Sequence, residues 1–398
     1  MLFVIKKLKK LNQIIRTILI LLVISFPLFY GCENNISDDG LSYISGDTIG
    51  TYLLDSQIDT LNIVSNNFIK YINTTGSYNM LVGKYSNFES KSLLRFTKLP
   101  TFYDTTTVVS AKLNIRYNKT YYQDSLGITS FNIYSISKYY NFTTLTYDLF
   151  YNEIGTNVVG TYSGTPNDTS LISISLDNQT VGDWLKYAHD SNYANKNYGI
   201  ILVPNASSTT IKGFYSSVTG FYPYVKAVVL EPSGKYDTLT FNNSESVSLN
   251  YVPQINAIPG RIILQNGIAI KDILKFDISK LPGRVIINQA TLELKIDWAN
   301  TFYTKDADKR VVLNVLTDTS TLANDGVNYY SMQTDSNTFV LYFRESVQKW
   351  NNGAYPNLGV LLKNIYDYSN LDRYVFYGPD FPDASKRPRI KIRYSIRS

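Results

Sequence analysis

Short runs of alternating apolar and polar residues extend along most of the chain. Such alternation occurs from Leu113 to Tyr117 and again from Leu292 to Ile296. A period of two residues is typical of a β-strand that buries one face. Gly, Asn, Asp and Pro separate these runs, as the turns between short strands require. The pattern therefore predicts many brief strands.

Composition agrees with a strand-rich fold. The chain contains 34 Tyr and 19 Phe, together with abundant Thr, Ile and Val, and these residues favour strands. Only Val181 to Ala188 and Arg344 to Trp350 have the pattern of short helices. The predicted fold class is all-β, built as β-sandwiches of the jelly-roll kind.

Part of the pattern occurs twice. SLLRFTKLP at 92–100 aligns with DILKFDISKLP at 272–282, and both segments end in Leu-Pro. The interval from the Phe to the Ala of the next strand is 15 residues in the first copy, Phe96 to Ala111, and 14 in the second, Phe276 to Ala290. Later segments recur in the same order: VGDWLKY with SVQKW, NYGIILV with NLGVLLK, GFYSS with VFYGP, and FYPYVKAVV with KRPRIKIRY.

The repeated order predicts two tandem jelly-roll-like β-sandwich domains, each with one short helix. A chain of 398 residues also exceeds the usual size of a single hydrophobic core. We place the first domain at 46–232 and the second at 235–398. The EPSGKYD segment, rich in turn residues, joins them.

The N-terminal segment has the layout of a secretory signal peptide at 1–31. A basic start precedes an apolar run of about a dozen residues, shorter than the roughly 20 that a membrane-spanning helix needs. The run ends in Gly31 and Cys32, which resembles the bacterial lipobox, although the bulky Phe29 and Tyr30 depart from it.

The lipobox-like ending predicts cleavage between Gly31 and Cys32 and a lipid anchor on Cys32. Cys32 is the only cysteine, so it has no disulfide partner within the chain. Residues 32–45 would form a flexible tether. The predicted location is the bacterial cell envelope, at the outer membrane, with the membrane face left open. The alternative is an ordinary signal peptide followed by an incidental cysteine.

The net charge of +6 comes mostly from the leader, whose first 31 residues contain five basic residues and no acid. The remainder is close to neutral and has no run of Lys and Arg that could follow a phosphate backbone. Nucleic acid is therefore not an expected partner.

Several segments resemble secreted bacterial modules named after the consensus DNRLRE. The resemblance is carried by LLRF at 93–96, KFDISKLP at 275–282, WNNGAYPNLGVLLK at 350–363 and RPRIKIRY at 387–394. It implies β-sandwich modules that are commonly appended to polysaccharide-degrading enzymes or surface proteins, some of them grouped with carbohydrate-binding modules. The first copy departs from the pattern, since it has FTK where FDLS is usual and lacks the RP strand.

The sequence excludes several kinds of catalytic site. His189 is the only imidazole, so His-based metal clusters and HExxH motifs are excluded, and a lone cysteine excludes Cys-ligated zinc. Paired carboxylates for glycoside hydrolysis or lyase chemistry remain open, but no spacing distinguishes a pair. The acids considered are Asp183, Asp190, Glu293 and Glu345. We expect no catalytic residues and no enzyme activity.

No cofactor is expected, with calcium as an open alternative. Asp306 and Asp308 in TKDADKR provide hard oxygen ligands of the kind calcium prefers. Asn324 and Asp325 in NDGVN do the same, but that segment is first of all a turn signal.

Aromatic side chains are the main candidates for recognition, because flat rings stack on the C–H faces of sugars. Trp184 and Trp350 occupy equivalent positions among apolar neighbours, and we interpret them as core residues. The candidate ligand-binding aromatics near strand ends and loops are Tyr139, Tyr140, Trp298, Phe302, Tyr303, Tyr329 and Tyr330.

These observations favour a non-catalytic, lipid-anchored envelope protein that binds polysaccharide or another surface ligand. The alternative is a structural or adhesive lipoprotein whose modules act as spacers or contact envelope proteins without binding sugar. A glycoside hydrolase or lyase is a minor alternative.

Overall fold

The computed structural model describes residues 49–255, 257–304 and 307–397. Within these ranges the chain forms 23 strands, which pair antiparallel, and two α-helices, α1 (Asn178–His189) and α2 (Arg344–Asn351). The predicted all-β class and both predicted helices are confirmed. Neither helix is long and apolar enough to cross a bilayer.

The strands of the first half, up to the joint between the copies, are β1 (Ile49–Asp55), β2 (Ile63–Ile69), β3 (Asn79–Tyr85), β4 (Phe88–Arg95), β5 (Thr107–Tyr122), β6 (Thr129–Ile136), β7 (Ile154–Gly164), β8 (Leu171–Leu176), β9 (Ile200–Pro204), β10 (Ile211–Tyr215) and β11 (Tyr224–Leu230).

Those of the second half are β12 (Tyr236–Asn242), β13 (Glu245–Tyr251), β14 (Arg261–Gln265), β15 (Ile270–Phe276), β16 (Ile286–Lys295), β17 (Val311–Val315), β18 (Tyr329–Tyr330), β19 (Met332–Gln333), β20 (Thr338–Tyr342), β21 (Val360–Asn364), β22 (Arg373–Tyr377) and β23 (Arg389–Arg397).

The first sandwich is built from a sheet in the order β12-β11-β5-β10-β3-β4-β9-β6-β7, with β13 added to β4 and β8 added to β5. The 16-residue strand β5 pairs with β8 and β11 in one part and with β10 at its end. Inward side chains from both parts form one apolar core. Trp184 of α1 stacks on Phe96 in this core, with ring centroids 5.6 Å apart.

The second sandwich consists of two sheets. One has the order β1-β23-β16-β20-β19, and the other has the order β18-β17-β21-β15-β14-β22, with β2 added to β15. Trp350 of α2 is buried and meets Phe343 edge-on at 6.0 Å. The prediction that Trp184 and Trp350 are core residues is confirmed.

The two copies exchange their first two strands. By sequence order β1 and β2 belong to the first copy, yet they pair with β23 and β15 of the second. In return, β12 and β13 pair with β11 and β4 of the first copy. Strand pairing thus crosses the predicted boundary at 232–235, and residues 51–395 form one compact unit.

A tight turn at the joint explains the exchange. Glu231 N–H donates to the carbonyl of Lys235, and Gly234 N–H donates to the carbonyl of Glu231. The EPSGK segment therefore closes a hairpin between β11 and β12, and a short loop costs little entropy to close. Because β12 must lie beside β11, the matching place beside β23 is left for β1.

Candidate ligand-binding groove

The end of β16 presents Trp298 through a turn organised by Asp297. This buried carboxylate accepts hydrogen bonds from Arg261 Nε at 2.7 Å and from Asn300 Nδ2 at 2.9 Å. Burial opposes ionisation, but these hydrogen bonds outweigh it and hold the pKa of Asp297 below its ordinary value. The backbone carbonyl of Asp297 also accepts from Thr301 Oγ1, so the turn is fixed at both ends.

The indole ring of Trp298 is held in place by its neighbours. Its Nε1 donates to the carbonyl of Ser336 and to Oδ1 of Asn337, both at 3.0 Å. Tyr303 meets the ring edge-on at 5.8 Å, and the ammonium of Lys309 lies 4.4 Å from the centroid of Tyr303. An aromatic ring ordered in this way offers contact area with little further loss of entropy on binding.

Trp298 lines a groove of about 570 Å³. Tyr377 supplies a second ring, and Lys295, Asp335 and Lys386 supply charged groups along the walls. Asp335 accepts a hydrogen bond from the backbone N–H of Asn337 at 2.6 Å. This bond, together with hydrogen bonds from the side chain and backbone of Thr338, holds the pKa of Asp335 below its ordinary value. The groove therefore combines aromatic faces with hydrogen-bond donors and acceptors.

A second groove of about 570 Å³ lies on the outer face of the five-stranded sheet. Alternate residues of β16 line it, whereas the residues between them are buried in the core. Lys391 Nζ lies 2.5 Å from Glu293 Oε1, and Arg389 Nε donates to both oxygens of Asp55 at 2.9 and 3.1 Å. Although burial opposes it, Arg389 holds the pKa of Asp55 below its ordinary value.

Among the other predicted aromatics, Tyr139 and Tyr140 lie beside Arg95. Tyr139 is exposed, and the Arg95 guanidinium lies 4.7 Å from its ring centroid. Tyr140 is buried and packs on Phe150, and its carbonyl accepts from Arg95 Nη2 at 2.6 Å. The ring of Tyr140 is thus covered by protein.

Phe302 and Tyr303 take different places. Phe302 packs between the two copies, edge-on to Tyr122 at 5.3 Å. Tyr303 lies near Trp298 and parallel to the buried Tyr374. Of the seven predicted aromatics, Trp298 lines the groove described above, and Tyr303 packs edge-on against its ring.

Tyr329 and Tyr330 form the short strand β18. The Tyr329 hydroxyl is hydrogen-bonded to Ser346 Oγ at 2.8 Å, and the ring is half-buried. Tyr330 is exposed, with the guanidinium of Arg310 5.4 Å from its ring centroid. The structure does not bring this pair to the Trp298 groove.

The structure describes one of the two aspartates considered as calcium ligands in TKDADKR. Asp306 lies outside the described residues, whereas Asp308 accepts hydrogen bonds from Arg310 on both carboxylate oxygens. This ion pair holds the pKa of Asp308 below its ordinary value. Among the described residues, no three His, Cys, Asp or Glu side chains come together as a metal site would require.

Two of the acids considered for catalysis have structural partners. Asp183 accepts hydrogen bonds from Gln179, Tyr193 and Asn195 at 2.7 to 2.9 Å. Glu293 is paired with Lys391. Gly31 and Cys32, the predicted cleavage and lipid sites, lie outside the described residues.

The sequence reasoning missed Tyr377. A signal was present, because the aligned segments GFYSS and VFYGP place Tyr215 and Tyr377 at equivalent positions. The side chain becomes a groove residue only because β22 ends beside the Trp298 turn, where Asp297 N–H donates to the carbonyl of Val375.

Comparison with known proteins adds little. No family model matches the chain, and no curated protein matches it. Among solved structures, that of Macrobrachium rosenbergii nodavirus aligns at 11% identity over 85% of this chain and 91% of that one, with a TM-score of 0.14. A score this low carries no argument about fold or function. The DNRLRE resemblance stays a prediction.

Proposed function

We propose that this protein is a non-catalytic component of the bacterial cell envelope that binds polysaccharide in the Trp298 groove. The supporting observation is the ordered ring of Trp298, which lines the same groove as Tyr377 and as charged and amide side chains. Aromatic faces contact the apolar faces of sugars, and neighbouring carboxylate and amide groups bind hydroxyls.

The test is retention of residues 33–398 on affinity gels cast with a panel of linear polysaccharides. Trp298→Ala is expected to weaken binding about tenfold, since a stacked ring contributes roughly 0.5 to 1.5 kcal/mol beyond the area it buries. Tyr236→Ala is the matched control, because Tyr236 is an exposed ring on β12 outside both grooves.

Two outcomes contradict the proposal. One is an absence of retention by every polysaccharide while circular dichroism shows an intact fold. The other is equal loss of binding in the Trp298 and Tyr236 variants, which would place the ligand elsewhere.

The alternative is a structural or adhesive spacer that binds no sugar. The strand exchange favours it, since two copies locked into one unit make a stiff connector. A chain that captures an envelope protein equally well with and without Trp298 would support this role.

We further propose that a lipid on Cys32 attaches the chain to the membrane, with the outer membrane as the expected location. Several acyl chains together give stable anchoring, because each buried CH₂ contributes about 0.8 kcal/mol. Cys32→Ser is expected to move the protein into the soluble fraction. Retention of this variant in membranes washed free of peripheral proteins would contradict the anchor.

A further inference from the structure

The two grooves of the second sandwich are neighbours. They share Lys295, Asp335 and Thr338 in their walls. Lys295 and Thr338 are directly paired across β16 and β20, so the shared wall is the end of these two strands. The groove on the outer face of the five-stranded sheet therefore meets the Trp298 groove at this end, and we call the two together the trough.

The trough is long compared with one sugar ring. Tyr342 lines it at the last residue of β20, four residues from Thr338 at the shared wall, and lies opposite Thr291 of β16. Four residues of a strand span about 13 Å, and the Trp298 groove lies beyond them. A ligand in contact with both Tyr342 and Trp298 must therefore be extended.

Tyr342 supplies a second exposed ring at the far end of the trough. Its side chain is 45% exposed and lies on the face of β20 that lines the groove. Between Tyr342 and Trp298 lie the paired ions Lys391 and Glu293, which keep donors and acceptors in fixed positions. Alternating rings and ordered polar groups suit a chain of repeated sugar units.

The first copy has neither ring. Counting from the aligned Ala111 and Ala290, Lys119 occupies the position of Trp298. The strand registers place Ser175 opposite Lys112, where Tyr342 lies opposite Thr291. The two rings thus occur together in one copy and are absent together in the other.

We propose that the trough binds a linear polysaccharide along its length, in contact with internal sugar units from Tyr342 to Trp298, and does not recognise a single sugar or a chain end. This inference rests on the proposed function, because it assigns the ligand class of the same site.

The experiment measures affinity against ligand length. The probes are oligosaccharides, from the disaccharide upward, prepared by partial hydrolysis of whichever polysaccharide the affinity gel retains. Affinity of the full mature chain is expected to rise with length until the trough is filled. Tyr342→Ala is expected to lower affinity several-fold for long oligomers and to leave the shortest ones unchanged.

Control variants separate this inference from the proposed function. Trp298→Ala should weaken binding at every length, and Tyr342→Phe, which keeps the ring, should bind long oligomers as the wild type does. If Trp298→Ala weakens binding while Tyr342→Ala has no effect at any length, the extended site is overturned and the groove remains. If neither variant weakens binding, or no oligosaccharide binds, both proposals fail.

Discussion

The outer faces of two equivalent sheets differ, although their backbones pair in the same way. In the second copy, β16 lies between β23 and β20, and in the first, β5 lies between β11 and β8. The second copy presents Tyr342 on this face and Trp298 in the groove at its end. The first has Lys119 and Ser175 at those positions.

The interior of the two copies did not diverge in this way. Phe96 and Phe276 are both fully buried at the same place in the repeat, and Trp184 and Trp350 both pack beside them or their neighbours. Close packing constrains every buried side chain, whereas an outward position on a strand tolerates most residues. The two copies therefore keep their buried residues and differ on this outer face.

The strongest test of the comparison asks whether the two copies can be separated at all. Leu94 is fully buried in the first sandwich, and truncation of such a leucine costs about 3 kcal/mol. Because strands are exchanged, Leu94→Ala is expected to lower the unfolding midpoint of both copies together. The measurement is denaturant unfolding followed by tryptophan fluorescence, once in a Trp184→Phe background, which leaves Trp298 and Trp350 of the second copy, and once in a Trp298→Phe, Trp350→Phe background, which leaves Trp184 of the first.

Val109→Ala is the control, since Val109 is exposed on β5. A shift confined to the Trp184 signal would mean that each copy unfolds independently.

A second difference between the copies lies inside the core. Asp272 in the second copy aligns with Ser92 in the first, and both are buried. Asp272 Oδ2 accepts from Ser65 Oγ of the exchanged strand at 2.7 Å, while Oδ1 has no partner among the described residues. Burial raises the pKa of Asp272 to about 7.

This pKa predicts a stability change with pH. Because the folded chain holds the Asp272 proton to a higher pH than the unfolded chain does, stability falls as pH rises from about 4 to about 7. Asp272→Asn is expected to reduce this slope, leaving the part contributed by Asp372, whose pKa burial raises to about 6, and to raise the free energy of unfolding at pH 8 by about 2 kcal/mol. Urea unfolding at several pH values measures it, with Asp367→Asn as a control that removes a carboxylate already paired with Lys271. An unchanged slope in Asp272→Asn would refute the assignment.

The smallest effect is expected at the position where the copies differ most. Lys119 pairs with Asp168 at 2.6 Å, but both side chains are largely exposed to solvent. Water and salt screen such a pair, so Lys119→Ala is expected to leave the unfolding midpoint and polysaccharide retention unchanged. A loss of polysaccharide binding in this variant would indicate that the ligand binds to the first copy.

The sequence predicted the strands and helices better than it predicted which strands pair with each other. Of the aligned segments, SLLR lies in β4 and DILKF lies in β15, and both tryptophan-containing helices form where the apolar pattern places them. Alternation reports which face of a strand is buried, and burial depends on local spacing. It does not report which strand lies alongside.

The exchange was beyond sequence reasoning for a physical reason. EPSGK is a joint in any arrangement, and only its closure as a hairpin commits β12 to β11. The same limit applies to the groove. Trp298 was among the candidates, but Tyr377 joins it through contacts between strands some 80 residues apart in sequence. Tyr140 was a candidate too, and the segment that carries it folds onto a sheet instead of facing solvent.

The exchanged strand β1 determines how a pulling force would be transmitted through the molecule. β1 is the neighbour of β23 in the sheet that carries the trough, and Asp55 of β1 binds Arg389 of β23. The chain enters β1 directly from the segment that leads back to Cys32. In the proposed role, tension on a bound polysaccharide would pass from the trough across one row of strand hydrogen bonds and an ion pair to the membrane, without crossing the first sandwich.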